Sequence, residues 1–259
     1  MKRSLVLSLA VVLALAGMTA GSAGCIRRVP RPIEDRATES SQTVTLDGAR
    51  EVELTVEMGA GQLSVKSTDS TATAVAGDFE SSPGNIKPAF SAATQGTTRH
   101  VRIDQPKVDF DFGSSGIKNR WTLSLPKGVP TMLALMLGAG QGDLDMRGVD
   151  LTALTVEQGA GNLKLDLSGQ RRELTVMATL GAGEATFRVP RDVAVVFDDR
   201  NSGLGDLKAD GFIQRPDGTW VNDAWASAYS EYATGPRTAP VIRLNVTHGL
   251  GDVRILTAD

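Results

Sequence analysis

Residues 159–167, Gly-Ala-Gly-Asn-Leu-Lys-Leu-Asp-Leu (GAGNLKLDL), join a glycine–small–glycine corner to alternating apolar and polar positions. The construction recurs as GAGQLSV from Gly59, GAGQGDLDM from Gly138, GAGEATFRV from Gly181, GLGDLKA from Gly203 and GLGDVRI from Gly249. Three devices use such a motif: a phosphate-cradling loop, a calcium-binding repeat and the bend of a repeating scaffold. A dinucleotide fingerprint needs a helix after its glycines, and a strand pattern follows every copy here. Glycine-rich calcium repeats place Asp on a nine-residue period. In this chain Asp206 and Asp252 follow GLG and Asp143 follows GAGQG, but Gln62, Asn162 and Glu184 fill the matching places. A hard cation wants several converging oxygens, which this mixture does not repeat. The bend remains, with glycine required where positive φ or close backbone stacking excludes a Cβ.

The flanks fix the architecture. Five, three and one residues before the first glycine stand Leu54, Val56, Met58; Leu133, Leu135, Leu137; Leu154, Val156, Gln158; Val176, Ala178, Leu180; and Leu244, Val246, His248. After it come Leu63/Val65, Leu163/Leu165, Ala185/Phe187, Leu207/Ala209 and Val253/Ile255, with Gln141-Gly142 displacing one set to Leu144/Met146. Period-two alternation turns one set inward and the other to water. Each unit is therefore strand, corner, strand. First glycines at 138, 159, 181 and 203 give steps of 21, 22 and 22, the period of a solenoid whose coils, about 4.8 Å apart, share a core that no coil builds alone.

The last step, from Gly203 to Gly249, is 46 residues and holds an insertion at about 211–240. It carries Phe212, Trp220, Trp225, Tyr229 and Tyr232, and RPDGTW (Arg215 to Trp220) reads as a hairpin turning at Asp217-Gly218. Such aromatics either cap a neighbouring coil or form a contact patch. Trp220, Trp225, Tyr229 and Tyr232 are the candidate contact surface, for a glycan or a protein. No capping signal follows Leu256, so the final strand is expected to offer its edge to a second copy.

The N-terminus reads as a targeting segment. Lys2 and Arg3 precede an apolar run from Leu5 to about Ala16, then small residues, then Cys25, the chain's one cysteine. A lone cysteine forms no internal disulfide. After Ser22-Ala23-Gly24 it resembles the acylated cysteine of a bacterial lipobox, with Ser22 where Leu is usual; an ordinary signal-peptide cleavage site also fits AGSAG. The expectation is a leader at 1–24, lipidation (diacylglyceryl, palmitate-type chains) of Cys25 and a solvated tether at 25–42. Without Lys2 and Arg3 the chain has 25 basic and 30 acidic side chains, a net of −5, which argues against nucleic acid. Beyond the leader no apolar run approaches the roughly 20 residues of a membrane span, so the lipid is the expected membrane attachment.

The stretch from about Val44 to Gly169 resembles the toast-rack family. The resemblance rests on EMGAGQLSV (from Glu57), Lys87-Pro88, Gln105 in RIDQP, Asn119-Arg120-Trp121 in NRWTLSLPKGVP, and LGAGQGDLDMRGVDLTALTVEQGAGNLKLDL. GLGDLKADGFIQRPDGTWVNDAW through THGLGDVRI is similar to the last coils of LiaF-type and adhesin-like solenoid domains. The resemblance implies an all-β, right-handed β-solenoid on bacterial envelope proteins, with no established catalytic residues and relatives implicated in cell-wall antibiotic response. An N-terminal β-sheet domain at 43–129 is expected to lead into a solenoid at 130–259.

Candidate chemistry outside the repeats is sparse. Asp109/Asp111, Asp143/Asp145 and Asp198/Asp199 pair in sequence, and Asp109/Asp111 alternate with Phe110 and Phe112, which points those carboxylates to solvent. Paired acid–base work needs carboxylates facing each other in a cleft, and nothing in the sequence places them so. His100 and His248 are the two histidines, too few for a zinc site. The expectation is a non-catalytic, cofactor-free and metal-free envelope lipoprotein that acts as an interaction or structural module, with a stress-response link by analogy. The alternative is a surface glycan-binding or adhesin-like protein, and a β-helical polysaccharide-degrading enzyme using Asp198 and Asp199 is a third class.

Overall fold

A computed structural model describes residues 37–82, 87–106, 118–229 and 238–258. Six strands open the fold: β1 (Thr38–Thr45), β2 (Glu51–Thr68), β3 (Thr73–Ser82), β4 (Ala89–Gln95), β5 (Thr98–Asp104) and β6 (Lys118–Pro126). Six more form coils: β7 (Thr131–Asp145), β8 (Leu151–Asp166), β9 (Leu174–Ala182), β10 (Ala185–Pro190), β11 (Ala194–Leu204) and β12 (Leu207–Asp210). The insertion supplies β13 (Phe212–Gln214), β14 (Trp220–Asn222) and α1 (Asp223–Tyr229), and the chain ends with β15 (Val241–Leu250) and β16 (Val253–Ala258). Among the described residues the protein is all-β apart from this one short helix.

β2, β7 and β8 each run through a glycine corner, so each contributes to two faces of the stack. Coil stacks on coil in parallel register: Leu54 on Leu133 and Val65 on Leu144 between β2 and β7, then Leu133 on Leu154 and Leu144 on Leu165 between β7 and β8. The inward residues of these rungs are buried, and one apolar core runs from Val44 to Ile255. Turns such as Met146–Asp150 close each circuit, with Val149 N–H donating to the Met146 carbonyl.

The corners explain the opening motif. A Cβ on Gly138 would lie 2.2 Å from the Gly59 carbonyl oxygen, and one on Gly140 would lie 1.8 Å from that of Gly61, at a φ of +134°. Both glycines of the motif therefore form ladders in which each residue sits against the backbone of its equivalent one coil away.

Those ladders reveal an exchange of coil order. Gly249 abuts Gly181, and Gly203 abuts Gly249. The C-terminal coil, β15–β16, thus lies between β9–β10 and β11–β12, pairing in parallel with both. Burial gives the reason. Leu244, Val246, Val253 and Ile255 are all buried, as an interior coil requires, while Leu207 and Ala209 of β12 are only half-buried, as suits the end of a stack. This corrects the expectation that the strand at Leu256 offers an open edge: β16 is paired on both sides.

Two expected boundaries also move. β1 occupies Thr38–Gln42 of the expected tether, paired antiparallel with β3. No division falls at 129/130, since β2 is already a coil paired along its length with β7, and residues 34–259 form one compact unit. β3 to β6 are an excursion between two stacked coils. β5 and β6 pair with the two halves of β2, β4 adds to β5, and β3 and β1 extend from β6.

Candidate functional site

The aromatic insertion folds as a cap on the last coil. β14 pairs antiparallel with β11, setting Trp220 opposite Phe197 and Val221 opposite Val196. Trp220 and Phe212 are half-buried against the core. The expected hairpin is present. Gly218, at φ +88°, donates its N–H to the Arg215 carbonyl, and Asp217 Oδ1 accepts from Thr219 N (3.1 Å) and Oγ1 (2.6 Å). The Thr219 hydroxyl, the Thr219 amide and nearby Arg215 hold the Asp217 carboxyl below the usual carboxylate range.

The organiser of this cap is Asn222, which sequence reading passed over. Buried at the end of β14, it accepts from Val195 N and Trp225 N, each at 3.0 Å, and donates to the Val193 carbonyl at 2.8 Å. One side chain thereby ties β11 to the hairpin and N-caps α1 at its third amide. Trp225 and Tyr229, one turn apart on α1, stack at 5.9 Å between centroids, and the Arg215 guanidinium lies 4.7 Å from the Trp225 ring centre. The Tyr229 hydroxyl donates to the Ala239 carbonyl. Tyr232 lies outside the described residues. The three described candidates are half-buried rather than fully exposed: Trp220 serves the cap, while Arg215, Trp225 and Tyr229 form a surface stack. Asn222→Ala is expected to cost about 2–3 kcal/mol, the loss of a cap together with stranded buried partners, read as a lower urea midpoint. Asp223→Ala, its exposed neighbour, should leave the midpoint nearly unchanged.

The opposite end of the glycine ladder has its own polar cap. Gln105 Oε1 accepts from Gly59 N (2.9 Å) and Ala60 N (3.3 Å), amides with no earlier coil to pair with. Asn119 Nδ2 donates to Gln105 Oε1 (2.9 Å) and to the Ala60 carbonyl, while its Oδ1 accepts from Trp121 Nε1 at 2.8 Å. Two residues that carried the family resemblance thus terminate the corner. From there a shallow groove of about 670 Å³ runs over Gly59, Gly138, Gly159 and Gly181, walled by Glu57, Met136 and Glu157.

The remaining candidates do not converge. Among the described residues no group of three or more His, Cys, Asp or Glu is placed to hold a metal ion. Glu184, Asp252 and Asp206 stand on successive coils because of the coil exchange, with Asp252 Oδ1 accepting from Asp206 N at 3.0 Å. Stacked like charges repel, so Asp252→Asn, which keeps that acceptor, is expected to raise stability by about 0.5 kcal/mol. The gain should shrink as salt is added in thermal unfolding. Asp143 lies elsewhere, beside a mixed-charge depression with Lys164 and Arg188. Asp145 is held below the usual carboxylate range, chiefly by its hydrogen bonds from Arg147.

Asp198 and Asp199 are neighbours on a strand and so point to opposite faces. Asp199 turns inward, its Oδ2 3.6 Å from His248 Nε2, with the two side chains 11% and 4% exposed. The surface histidine, His100, meets Glu53 at 3.1 Å. Asp109, Asp111 and Cys25 lie outside the described residues, and among those described no helix is long and apolar enough to cross a membrane.

A solved structure and a family model agree with this architecture. A solved structure of a candidate cell adhesion protein from Clostridium sporogenes ATCC 15579 is 26% identical, with a TM-score of 0.76 over 86% of this chain and 100% of that one. A candidate adhesin from Bacteroides fragilis NCTC 9343 is 15% identical over 86% of this chain and 99% of that one, at a TM-score of 0.26. No curated protein matches. The family model described as the N-terminal domain of toast_rack, DUF2154, matches residues 33–188, more than half of the chain. With its stacked strands and glycine corners, the chain belongs to the toast-rack family.

Proposed function

We propose that this protein is a non-catalytic lipoprotein, anchored through Cys25 to the extracytoplasmic face of a bacterial membrane, whose solenoid is an adhesin-like interaction module of the envelope. The supporting observation is the match over the whole of a candidate cell adhesion protein at a TM-score of 0.76. The anchor rests on the residues around Cys25, and one lipid chain alone holds a protein only marginally at a bilayer, so a diacylglyceryl cysteine, which carries two acyl chains, fits best. Right-handed winding of the coils is part of this reading, as parallel strand connections overwhelmingly take that hand. A link to envelope stress rests on family analogy alone.

The test uses the full chain expressed in a bacterial host with radiolabelled palmitate. Labelling, membrane retention and capture of envelope components by cross-linking are expected, with the label and retention lost in Cys25→Ser. Unlabelled protein released to the medium would refute the anchor, and labelled protein that captures nothing from the envelope would refute the interaction role.

A second reading, a glycan-binding surface protein, is favoured by the half-exposed stack of Arg215, Trp225 and Tyr229. Binding to isolated peptidoglycan that disappears in Trp225→Ala, with the fold intact, would select it.

A further inference from the structure

Sheet edges are where one chain pairs with another, and proteins ordinarily protect them with charge, proline, bulges or brevity. Several edges are open among the described residues. β1 carries Glu39 and a register break at Val44/Thr45. β12 has four residues, including Lys208 and Asp210, and β13 has three. β4 has none of these protections. Its seven residues, Ala-Phe-Ser-Ala-Ala-Thr-Gln, contain no charge and no proline, and they pair with β5 in unbroken register from Ala89–Asp104 to Gln95–Thr98. Among the described residues β5 is its one strand partner, and every residue of β4 except Phe90 is exposed. On the core side Phe90 packs edge-on against Phe79 at 5.4 Å, and Ala92 lies opposite buried Val101, so the apolar layer ends at this strand.

We infer that β4 is a self-association edge, and that two copies of the chain join β4 to β4 antiparallel about a two-fold axis at Ala92. The occupant follows from self-complementarity. With Ala92 on the axis, Phe90 lies opposite Thr94 of the second copy, Ser91 opposite Ala93, and Ala89 opposite Gln95. Opposite residues of an antiparallel pair share a face, so the Phe90–Thr94 pairs continue the core layer of both subunits. An aromatic residue opposite a β-branched one is a favourable cross-strand pair. No like charges meet anywhere along the seven pairs. The interface is isologous and closes on itself, so it yields a dimer rather than a filament. This goes beyond the proposed envelope role and does not depend on it.

The test is sedimentation of the full chain in mild detergent, with hydrogen exchange read over residues 89–95. A dimer with protected β4 amides is expected. Ala92→Lys and Ala92→Glu each put like charges face to face at the axis and should raise the dimer dissociation constant roughly tenfold or more. Because Ala92 is exposed in the monomer, both variants should keep the wild-type melting temperature at dilution. An equimolar mixture of the two variants should dimerise again and regain protection. A wild-type monomer up to millimolar concentration overturns the inference, whether its β4 amides exchange freely or are protected by this same chain. A dimer that persists in both variants, or a mixture that fails to pair, overturns it equally.

Discussion

Gly161→Ala is expected to prevent the solenoid from closing, at a cost above about 4 kcal/mol, among the largest that single substitutions show. Two independent causes act at this position. The added Cβ would stand 1.8 Å from the Gly140 carbonyl oxygen, a backbone atom that cannot rotate away. The φ of +119° is also one that side chains of L residues rarely adopt. Relief would require the coils at Gly140 and Gly161 to separate, which breaks the ladder on both sides of the corner. Gly218→Ala provides the contrast. Its φ is +88°, but a Cβ there meets nothing within 4 Å, so it should cost only about 1–2 kcal/mol of backbone strain. Urea unfolding of the two variants decides the matter. Equal midpoints would mean that stacking at the corner is not what requires glycine.

The contrast also marks where sequence is informative. The corner and its rungs are legible because the physics repeats: every coil needs two glycines and alternating inward side chains, so six copies report the same constraint. Asp217-Gly218 is legible because a tight hairpin turn has its own local chemistry. The order of the last two coils is not legible. Gly203 and Gly249 carry the same motif, and a parallel ladder accepts either order; only the cap over β11 and the half-buried Leu207 and Ala209 favour the exchange. Gln105, Asn119 and Asn222 escape notice as cap residues for a related reason. Each satisfies backbone groups far away in sequence, as Asn222 does at Val195, and no local period announces that. His248 and Asp199 come together only because the C-terminal coil slots beside β11. β1 has no apolar alternation to betray it, since Val44 is its one buried residue. It is an edge strand held by the backbone of β3.

Leu165→Asp is expected to abolish cooperative unfolding, while Lys164→Ala should change stability by less than about 0.5 kcal/mol. The two residues are neighbours on β8 and differ only in the face they present. Leu165 is 1% exposed and sits in register between Leu144 of the preceding coil and Phe187 of the next. A carboxylate there loses the burial of the leucine, worth about 2–5 kcal/mol in comparable truncations. It also brings a charge into an apolar layer, where the ionised form is still more costly. Because the core is shared by all coils, the damage is not confined to one rung; each neighbour loses a packing surface. Lys164 lies on the outer face, exposed to water. Circular dichroism on heating should show a single steep transition for wild type and Lys164→Ala, and a broad or absent one for Leu165→Asp. The sign of the pH dependence adds a further check. Burial raises the carboxyl pKa of the introduced aspartate above its unfolded value, so the destabilisation is full at neutral pH and relieved as pH falls through the folded pKa. Matching melting temperatures for the two variants at neutral pH would be incompatible with a continuous core beneath the strand that runs through the GAGNLKLDL corner.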